Sequence, residues 1–360
     1  MVNPDSEFWQ GKKVLLTGHT GFKGSWLSCW LTRLGAQVTG YALEAPSDPS
    51  LFELLNLSDD MQSIYGDVRD LGHLRRVVTE GGFDLIIHMA AQSLVRESYE
   101  SPVDTYATNV MGTVHLLQVA RESEDVRVVI NVTSDKCYEN TESRVAFKES
   151  DAMGGFDPYS NSKGCAELVT AAFRQSFLSE DKYHSHGTGI ASVRAGNVIG
   201  GGDWAKDRLI PDIMRGFLNN ERVLIRNPHA IRPWQHVLEP LSGYLLLAEN
   251  IWKHGSEFAS GWNFGPLESD ARPVSWIVEQ LAKAWGEDAH WEIDGANHPH
   301  EASYLKLNVE KAQKALGYQP RLNLSDCLEW VSNWYRAYGE EDDLKGVTLG
   351  QIDRFERHGL

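Results

Sequence analysis

Three glycines spaced three residues apart, directly after the first apolar segment, constrain the fold of this 360-residue chain most strongly. Residues 14–18 read VLLTG, and the sequence TGHTGFKGSWL then places Gly18, Gly21 and Gly24 ahead of a helical pattern. This spacing permits a tight turn, close approach of the backbone to a pyrophosphate, and close packing of a helix on a strand. The helix N-terminus also offers N–H groups and a positive dipole to phosphates. A glycine turn between a strand and a helix therefore predicts a dinucleotide site.

Strand and helix patterns alternate over the first half of the chain. Near-continuous apolar runs, typical of strands covered on both faces, occupy residues 14–18, 37–43, 84–90, 127–133 and 189–195. Helical spacing occupies residues 24–34, 71–80, 104–122 and 159–177. Repeated βα units predict an α/β fold with a Rossmann-type doubly wound parallel sheet and a smaller C-terminal α/β domain. We expect residues 1–195, with 227–255 returning to them, to bind the dinucleotide, and residues 196–226 and 256–345 to bind the substrate.

Composition and charge exclude several classes of function. The formal net charge of −16 disfavours nucleic acid or an anionic membrane as a partner. No apolar run approaches the roughly 18 residues of a membrane span, and the four cysteines form no CxxC pair. With no signal-peptide pattern, we expect a cytoplasmic protein.

The histidine pairs at 184/186 and 298/300 are interpreted as surface loops without a metal, since no carboxylate or cysteine set accompanies them.

The segment after the second predicted strand favours NAD over NADP. Between Thr39 and Pro46 there is no arginine or lysine to hold a 2′-phosphate. The acid that usually binds the ribose is also missing, and Glu44 is a late substitute. In GDVRD, Asp67 and Val68 are candidates to contact the adenine; alternatively, Asp67 caps the following helix. These features predict NAD as the cofactor.

Small residues in HMAAQ (88–92) would let the backbone approach the cofactor, and Asn109 would hold its helix or a water molecule, or serve a purely structural role. The predicted cofactor-binding residues are Gly18, Thr20, Gly21, Phe22, Lys23, Gly24, Asp67, Val68, Ala90, Ala91, Gln92, Asn109, Tyr159 and Lys163.

Tyr159 and Lys163 lie four residues apart in YSNSK and therefore share one helix face. A tyrosine with a pKa near 10 is a poor base, and lowering that pKa by about three units requires roughly 4 kcal/mol of preferential phenolate stabilisation. We expect the adjacent ammonium group and a positively charged nicotinamide ring to supply it. The alternative, a surface lysine beside a packed tyrosine, is less consistent with the preceding glycine turn.

Ser134, Asp135 and Lys136 follow the apolar run 127–133 directly. The three residues are either a solvated polar turn at a strand end or catalytic groups presented to Tyr159. The surrounding motifs favour the catalytic interpretation.

The motifs TGxxGFxG, GDVRD, HMAAQ, TNVMGT, TSD, YSNSK and VRAGNVIG together resemble the extended short-chain dehydrogenase/reductase family that acts on nucleotide-linked sugars. The resemblance implies that Ser134 binds a substrate hydroxyl and that Tyr159 takes the O4 proton while the C4 hydride passes to tightly bound NAD. It also implies a role in deoxysugar biosynthesis and a homodimer, possibly a homotetramer, formed through residues 104–122 and 159–177.

Within that family, the residues after the serine distinguish 4,6-dehydratases from 4-epimerases. A dehydratase needs an acid and a base beyond Tyr159 to eliminate water. Asp135 matches the family's acid, whereas Lys136 stands where the dehydratases usually carry a glutamate base. Lys136 is either an amine base at C5 or a partner of Asp135. We predict a 4,6-dehydratase. The alternatives are a 4-epimerase, a dehydratase of another NDP-hexose, and a non-catalytic NAD-binding regulator.

The same resemblance assigns substrate contacts in the second half of the chain. It implies that Asn197 contacts the nucleotide phosphates, that Arg208 and Leu209 lie beside the base and ribose, and that Tyr304 faces the substrate. Arg232 presents a planar fork suited to a diphosphate, although a structural ion pair is the alternative.

Overall fold

A parallel sheet lies at the centre of the computed structural model, which describes residues 2–140, 145–266, 270–287, 289–294 and 305–358. The strands in these ranges are β1 (Lys13–Thr17), β2 (Gln37–Ala42), β3 (Gln62–Tyr65), β4 (Leu85–His88), β5 (Val128–Val132), β6 (Gly189–Ala195), β7 (Asn197–Ile199), β8 (Val223–Ile225), β9 (Ile231–His236), β10 (Gly261–Phe264), β11 (Ala271–Pro273) and β12 (Trp291–Ile293). Seven of these described strands form the main sheet, in the order β10-β6-β5-β4-β1-β2-β3, and every neighbouring pair is parallel. The predicted Rossmann-type sheet is confirmed.

Helices cover the sheet on both faces. They are α1 (Ser6–Trp9), α2 (Phe22–Arg33), α3 (Leu51–Leu54), α4 (Leu71–Gly81), α5 (Val95–Glu100), α6 (Pro102–Tyr106), α7 (Gly112–Glu122), α8 (Pro158–Ser176), α9 (Tyr183–His186), α10 (Leu209–Leu218), α11 (Leu238–His254), α12 (Val274–Trp285), α13 (Glu310–Leu316), α14 (Leu324–Gly339) and α15 (Leu344–Arg357). Alternate residues of β1 enter opposite cores: Val14 and Leu16 pack in one cluster and Leu15 in the other. Burial on both faces explains why the strands read as continuous apolar runs.

The structure differs from the predicted elements at two places. The helix predicted over 104–122 is interrupted by a π-helical turn, Ala107–Met111, between α6 and α7. Such turns are frequent at functional sites, and this one contains Asn109. In addition, Gly261–Phe264 joins the main sheet beside β6, although it lies in the range 256–345 assigned to the substrate domain. This strand is four residues long, too short to give a periodic signal.

Two small sheets lie outside the main one in the described residues: β7, β9 and β11 form the first, and β8 and β12 the second. Near the C-terminus, α14 is capped by Asn323, whose side chain accepts from the Asp326 N–H. The following α15 packs on α2, where Trp30 Nε1 donates to Glu356 Oε1 at 2.8 Å. Over the part of the chain described, no helix has the length and apolar character needed to span a membrane.

Candidate active site

The glycine turn between β1 and α2 has the close packing that its spacing predicts. Gly18 has φ +77°, and a Cβ there would lie 2.8 Å from the Ala90 nitrogen. A Cβ on Gly24 would lie 2.1 Å from the Gly18 carbonyl oxygen, so α2 approaches the turn only with glycine at this position. A Cβ on Gly21 would meet only that same oxygen, at 3.4 Å, an ordinary contact. Protein packing therefore explains Gly18 and Gly24 but not Gly21, whose contact with a cofactor stays a prediction.

Other residues of this turn are anchored to neighbouring elements. Thr20 Oγ1 donates to the Leu43 carbonyl at 3.0 Å, which ties the turn to the end of β2. Phe22 begins α2. Lys23 Nζ donates to the Tyr244 hydroxyl at 3.1 Å, and burial of its ammonium group, together with nearby positive charge, lowers its pKa to about 7. Lys23 is therefore held against α11.

Asp67 does not cap the helix that follows it. Its carboxylate accepts from the backbone and side chain of Arg69, at 2.8 Å each, and the hydrogen bond with Arg69 lowers its pKa. The cap of α4 is Asp70. Val68 is buried against Gly112, where an added Cβ would meet it at 2.7 Å. The capping alternative for Asp67 is thus wrong, and an adenine contact stays a prediction.

Asn109 joins the predicted cofactor loop to the catalytic helix. Its Oδ1 accepts from the Gln92 N–H, while its Nδ2 donates to the Gln92 carbonyl and to Ser162 Oγ, each at 2.9 Å. Ala90 and Ala91 lie half-buried in this loop at the end of β4. The amide thus has a definite structural role, which was one of the two alternatives for it.

Helix α8 presents Tyr159 and Lys163 toward the turn that follows β5. Asp157 begins the helix by accepting from a backbone N–H, with proline at the first helical position. A Cβ on Gly164 would lie only 3.1 Å from the Cys137 carbonyl oxygen. The glycine therefore lets the helix approach the backbone of that turn, and both catalytic candidates are buried there.

The predicted catalytic residues converge at this contact. Ser134 Oγ donates to Asp135 Oδ1 at 3.0 Å and forms a hydrogen bond with Tyr159. Lys136 Nζ lies 5.9 Å from the centroid of the Tyr159 ring. The backbone of residues 135–137 forms one 3-10 turn, with Ser134 Oγ accepting from the Lys136 N–H. These contacts place an acid and an amine beside the tyrosine, as the catalytic interpretation requires.

Burial raises the pKa of Asp135. Desolvation raises the pKa of its carboxyl group, and the charges of Lys136 and Arg232 together with the Ser134 hydrogen bond offset part of that rise. A carboxyl group with a raised pKa keeps its proton to higher pH, which suits a general acid. The charge of Arg232 thus acts on Asp135, while its contact with a diphosphate stays a prediction.

Burial dominates the pKa of Tyr159, whereas the predicted lowering includes a nicotinamide charge as well as that of Lys163. Burial raises it to about 12, although the hydrogen bond with Ser134 and the charge of Arg208 act to lower it. Lys163 is itself affected: burial lowers the pKa of its ammonium group to about 8, and its Nζ donates to the Val132 carbonyl at 3.3 Å. The protein groups around Tyr159 do not by themselves lower its pKa, and a contribution from the nicotinamide charge stays a prediction.

Among the predicted substrate residues, Arg208 lies near enough to this site for its charge to act on Tyr159. Arg208 donates to Asp203 at 3.0 Å and to Ser93 at 2.9 Å, and its charge reaches Tyr159. Asn197 begins β7, and Leu209 begins α10.

Tyr304 lies outside the described residues, as do His298 and His300. No group of three or more metal-binding side chains occurs in the described ranges.

A family model for GDP-mannose 4,6-dehydratase matches residues 15–330. This chain belongs to that family. It is 57% identical over 351 residues to a CDP-glucose 4,6-dehydratase from Salmonella typhimurium, covering 98% of both chains. It is 26% identical over 338 residues to a UDP-glucose 4-epimerase from Halalkalibacterium halodurans, covering 90% of this chain and 96% of the epimerase. A solved dTDP-glucose 4,6-dehydratase from Streptomyces venezuelae has the same fold, with a TM-score of 0.76, 23% identity and coverage of 92% of this chain and 99% of that one.

This member of the GDP-mannose 4,6-dehydratase family contains one buried pair that the motifs did not reveal. Glu167 on α8 contacts Arg194 on β6 at 2.7 Å, directly behind the catalytic turn. The sequence does carry a signal for Glu167, because it follows Lys163 by four residues, just as Lys163 follows Tyr159. The three side chains therefore share one helix face. The arginine lies far away in sequence and has no comparable signal.

Substitution of Gly21 and Gly24 by alanine separates ligand approach from protein packing. We expect Gly24→Ala to lower the free energy of unfolding by about 3 kcal/mol, because its Cβ overlaps a backbone carbonyl. We expect Gly21→Ala to change stability by less than about 1 kcal/mol and to weaken NAD binding by at least about tenfold, equivalent to 1.4 kcal/mol. Denaturant unfolding and NAD titration measure the two effects. Equal NAD affinity in Gly21→Ala and the unsubstituted protein would contradict the assignment.

Proposed function

We propose that this protein removes water from CDP-D-glucose to give CDP-4-keto-6-deoxy-D-glucose, with NAD as its cofactor. The observation that carries the proposal is the 57% identity, over 98% of this chain, to the CDP-glucose 4,6-dehydratase of Salmonella typhimurium. The buried Asp135 and neighbouring Lys136 support it, since elimination of water needs an acid and a base in addition to Tyr159.

NAD fits the glycine turn, where Gly21 leaves room for a pyrophosphate and the N-terminus of α2 offers its N–H groups. Bound there, NAD supplies a hydride acceptor for C4 and a hydride donor for C6. Asp67 and Val68 lie after β3, where they would contact the adenine. Lys163, buried on α8, would hold the nicotinamide ribose and contribute positive charge beside Tyr159.

The first task of the protein's own groups is to remove the O4 proton. Ser134 and Tyr159 are joined by a hydrogen bond, so one sugar hydroxyl can contact both side chains. Tyr159 takes the O4 proton as the C4 hydride leaves, and Lys163 stabilises the tyrosine as a phenolate. Because burial raises the pKa of Tyr159 to about 12, the phenolate needs further positive charge beside it, and the oxidised nicotinamide ring would supply that charge.

The second task is elimination across C5 and C6. Lys136 removes the C5 proton, which the adjacent 4-keto group acidifies, and Asp135 gives a proton to the C6 hydroxyl, which leaves as water. The proton held by Lys136 then returns to C5 as C6 is reduced. The O4 proton taken up by Tyr159 replaces the one that Asp135 gave to the leaving water, so the site ends each cycle in its starting protonation and redox states. Burial raises the pKa of Asp135, which keeps its proton available for this step.

A 4-epimerase is the principal alternative, and one relative of this chain carries that name. An epimerase needs only Tyr159, Ser134 and the cofactor, since it returns hydride to C4. Asp135 and Lys136 would then have no chemical task. A non-catalytic regulator would need none of these side chains together.

Incubation of the purified protein with CDP-glucose and NAD tests the proposal. We expect a 4-keto sugar, detected by its absorbance in alkali, with faster turnover than with UDP-, dTDP- or GDP-glucose. CDP-galactose in place of a keto sugar would indicate the epimerase, turnover of another nucleotide only would indicate a different dehydratase, and turnover of none would reopen the regulator.

Lys136→Ala tests the proposed C5 base. We expect at least about 100-fold slower water elimination, in the usual range for a lost general base, while oxidation at C4 still generates NADH in a single turnover. Lys136→Arg is the matched control, because arginine keeps the positive charge beside Asp135 but does not deprotonate. Loss of elimination in both variants supports the base. Wild-type elimination in Lys136→Arg would mean that Lys136 acts only as a charge partner.

We also propose that the protein forms a homodimer through the faces of α6–α8. Val103, Met111 and Leu168 expose large apolar side chains on these segments, and a second copy would cover them. Leu168 is 60% exposed. A tetramer and a cytoplasmic location stay predictions.

Leu168→Glu tests the dimer. We expect this variant to sediment as a monomer at concentrations where the unsubstituted protein is a dimer, because a charge would be buried in the interface. Leu224→Glu is the control, since Leu224 is 54% exposed on β8, outside these helices. An unsubstituted protein that sediments as a monomer, or a Leu168→Glu dimer as stable as the control, would contradict the interface.

A further inference from the structure

A buried ion pair lies directly behind the catalytic turn. Glu167 Oε1 accepts from Arg194 Nε at 2.9 Å, and Glu167 Oε2 accepts from Arg194 Nη2 at 2.7 Å, so the two groups meet as a bidentate pair. Both residues are 4% exposed. Ser192 Oγ donates to the same carboxylate at 2.6 Å. A charged pair so thoroughly desolvated persists only with this degree of hydrogen bonding, which also gives it one well-defined geometry.

The residue before the catalytic turn is bound to the acidic partner. Thr133, at the end of β5, donates from its hydroxyl to Glu167 Oε1. Ser134 follows immediately in sequence. The N-terminal end of the turn is therefore attached to the ion pair through one side-chain hydroxyl.

The residue after the turn is bound to the basic partner. Arg194 Nη1 donates to the Tyr138 hydroxyl at 2.6 Å. That hydroxyl in turn donates to Asn263 Oδ1 at 2.8 Å, which fixes the ring from the side of β10. Tyr138 stands two residues after Lys136. The C-terminal end of the turn is therefore attached to the other half of the same ion pair.

We propose that Glu167 and Arg194 form a frame that positions Ser134, Asp135 and Lys136 for the reaction, holding both ends of the turn through Thr133 and Tyr138. The turn has little rigidity of its own, since it is a single 3-10 turn of three residues. Displacement of a reacting group by 1 Å costs on the order of 100-fold in rate. Neither Glu167 nor Arg194 touches the substrate in this role; both are positioning residues.

The frame also acts electrostatically on Lys163. The negative charge of Glu167 opposes the effect of burial, which lowers the pKa of Lys163. The other ionisable groups that act with Lys163 are Cys137 in the turn, Lys23 on α2 and His88 on β4. Removing the charge of Glu167 would lower the pKa of Lys163 further, so Lys163 would lose its proton at lower pH.

Thr133→Val and Thr133→Ser test the frame without disrupting the ion pair. Valine has the shape of threonine but no hydroxyl, whereas serine keeps the hydroxyl. Because the frame rests on the proposed function for its assay, wild-type turnover of CDP-glucose is measured first. We then expect Thr133→Val to lower kcat by about 100-fold, the cost of a displacement of about 1 Å, with KM nearly unchanged and the free energy of unfolding lowered by only about 1 kcal/mol. Thr133→Ser should restore kcat to within about twofold of wild type.

Tyr138→Phe removes the hydrogen bond to Arg194 at the other end of the turn and should lower kcat by a similar factor.

Glu167→Gln keeps the shape of the side chain but removes its charge. Because that charge holds the pKa of Lys163 up, the alkaline limit of the pH profile of kcat should move to lower pH. Simple loss of stability would not produce this change. Wild-type kcat in both Thr133→Val and Tyr138→Phe, an equal loss in Thr133→Val and Thr133→Ser, or an unmoved alkaline limit in a folded Glu167→Gln would overturn the frame.

Crystal structures of the two Thr133 variants test the frame without any substrate, because they show the position of the turn backbone directly. The frame predicts that the backbone of residues 134–136 shifts by about 1 Å in Thr133→Val and stays in place in Thr133→Ser. An unmoved turn in Thr133→Val would overturn the frame even if the protein acted on a different sugar. Absence of CDP-glucose turnover with a shifted turn would instead contradict the proposed function alone.

Discussion

Close contact between α8 and the turn after β5 is the constraint on which the catalytic site depends. A Cβ on Gly164 would lie 2.5 Å from the Gly154 carbonyl and 3.1 Å from that of Cys137, so only glycine lets the helix come this near. The contact brings the helix that carries Tyr159 and Lys163 against a turn that carries an acid and an amine. Without it, Tyr159 and Lys163 would lie farther from the turn that follows β5.

The same closeness buries ionisable groups and shifts each toward its neutral form. Burial raises the pKa of Asp135 and raises that of Tyr159 to about 12, while it lowers the pKa of Lys163 to about 8 and that of Lys23 to about 7. Charges brought by bound ligands therefore have large effects here, because little water screens them. Burial thus brings the pKa of Lys163 closer to neutral pH, whereas it moves that of Tyr159 further away.

Much of this arrangement can be predicted from the sequence, because it depends on local patterns. The glycine turn, the buried strands and the four-residue spacing of Tyr159 and Lys163 each leave a short-range signal. The strand Gly261–Phe264 does not, since its place beside β6 depends on packing far along the chain. The same holds for Arg194, which meets Glu167 only through the fold. The rise in the pKa of Tyr159 also leaves no signal in the sequence, because spacing reveals its charged neighbours but not its desolvation.

Transfer of deuterium from C4 to C6 tests the proposed reaction most directly. CDP-glucose labelled with deuterium at C4 would be converted by the purified protein, and the product analysed by mass spectrometry and NMR. Oxidation, elimination and reduction at one site predict a 4-keto-6-deoxy product that carries the deuterium in its C6 methyl group. Deuterium found at C4 of a recovered hexose, or a keto sugar without deuterium at C6, would contradict it.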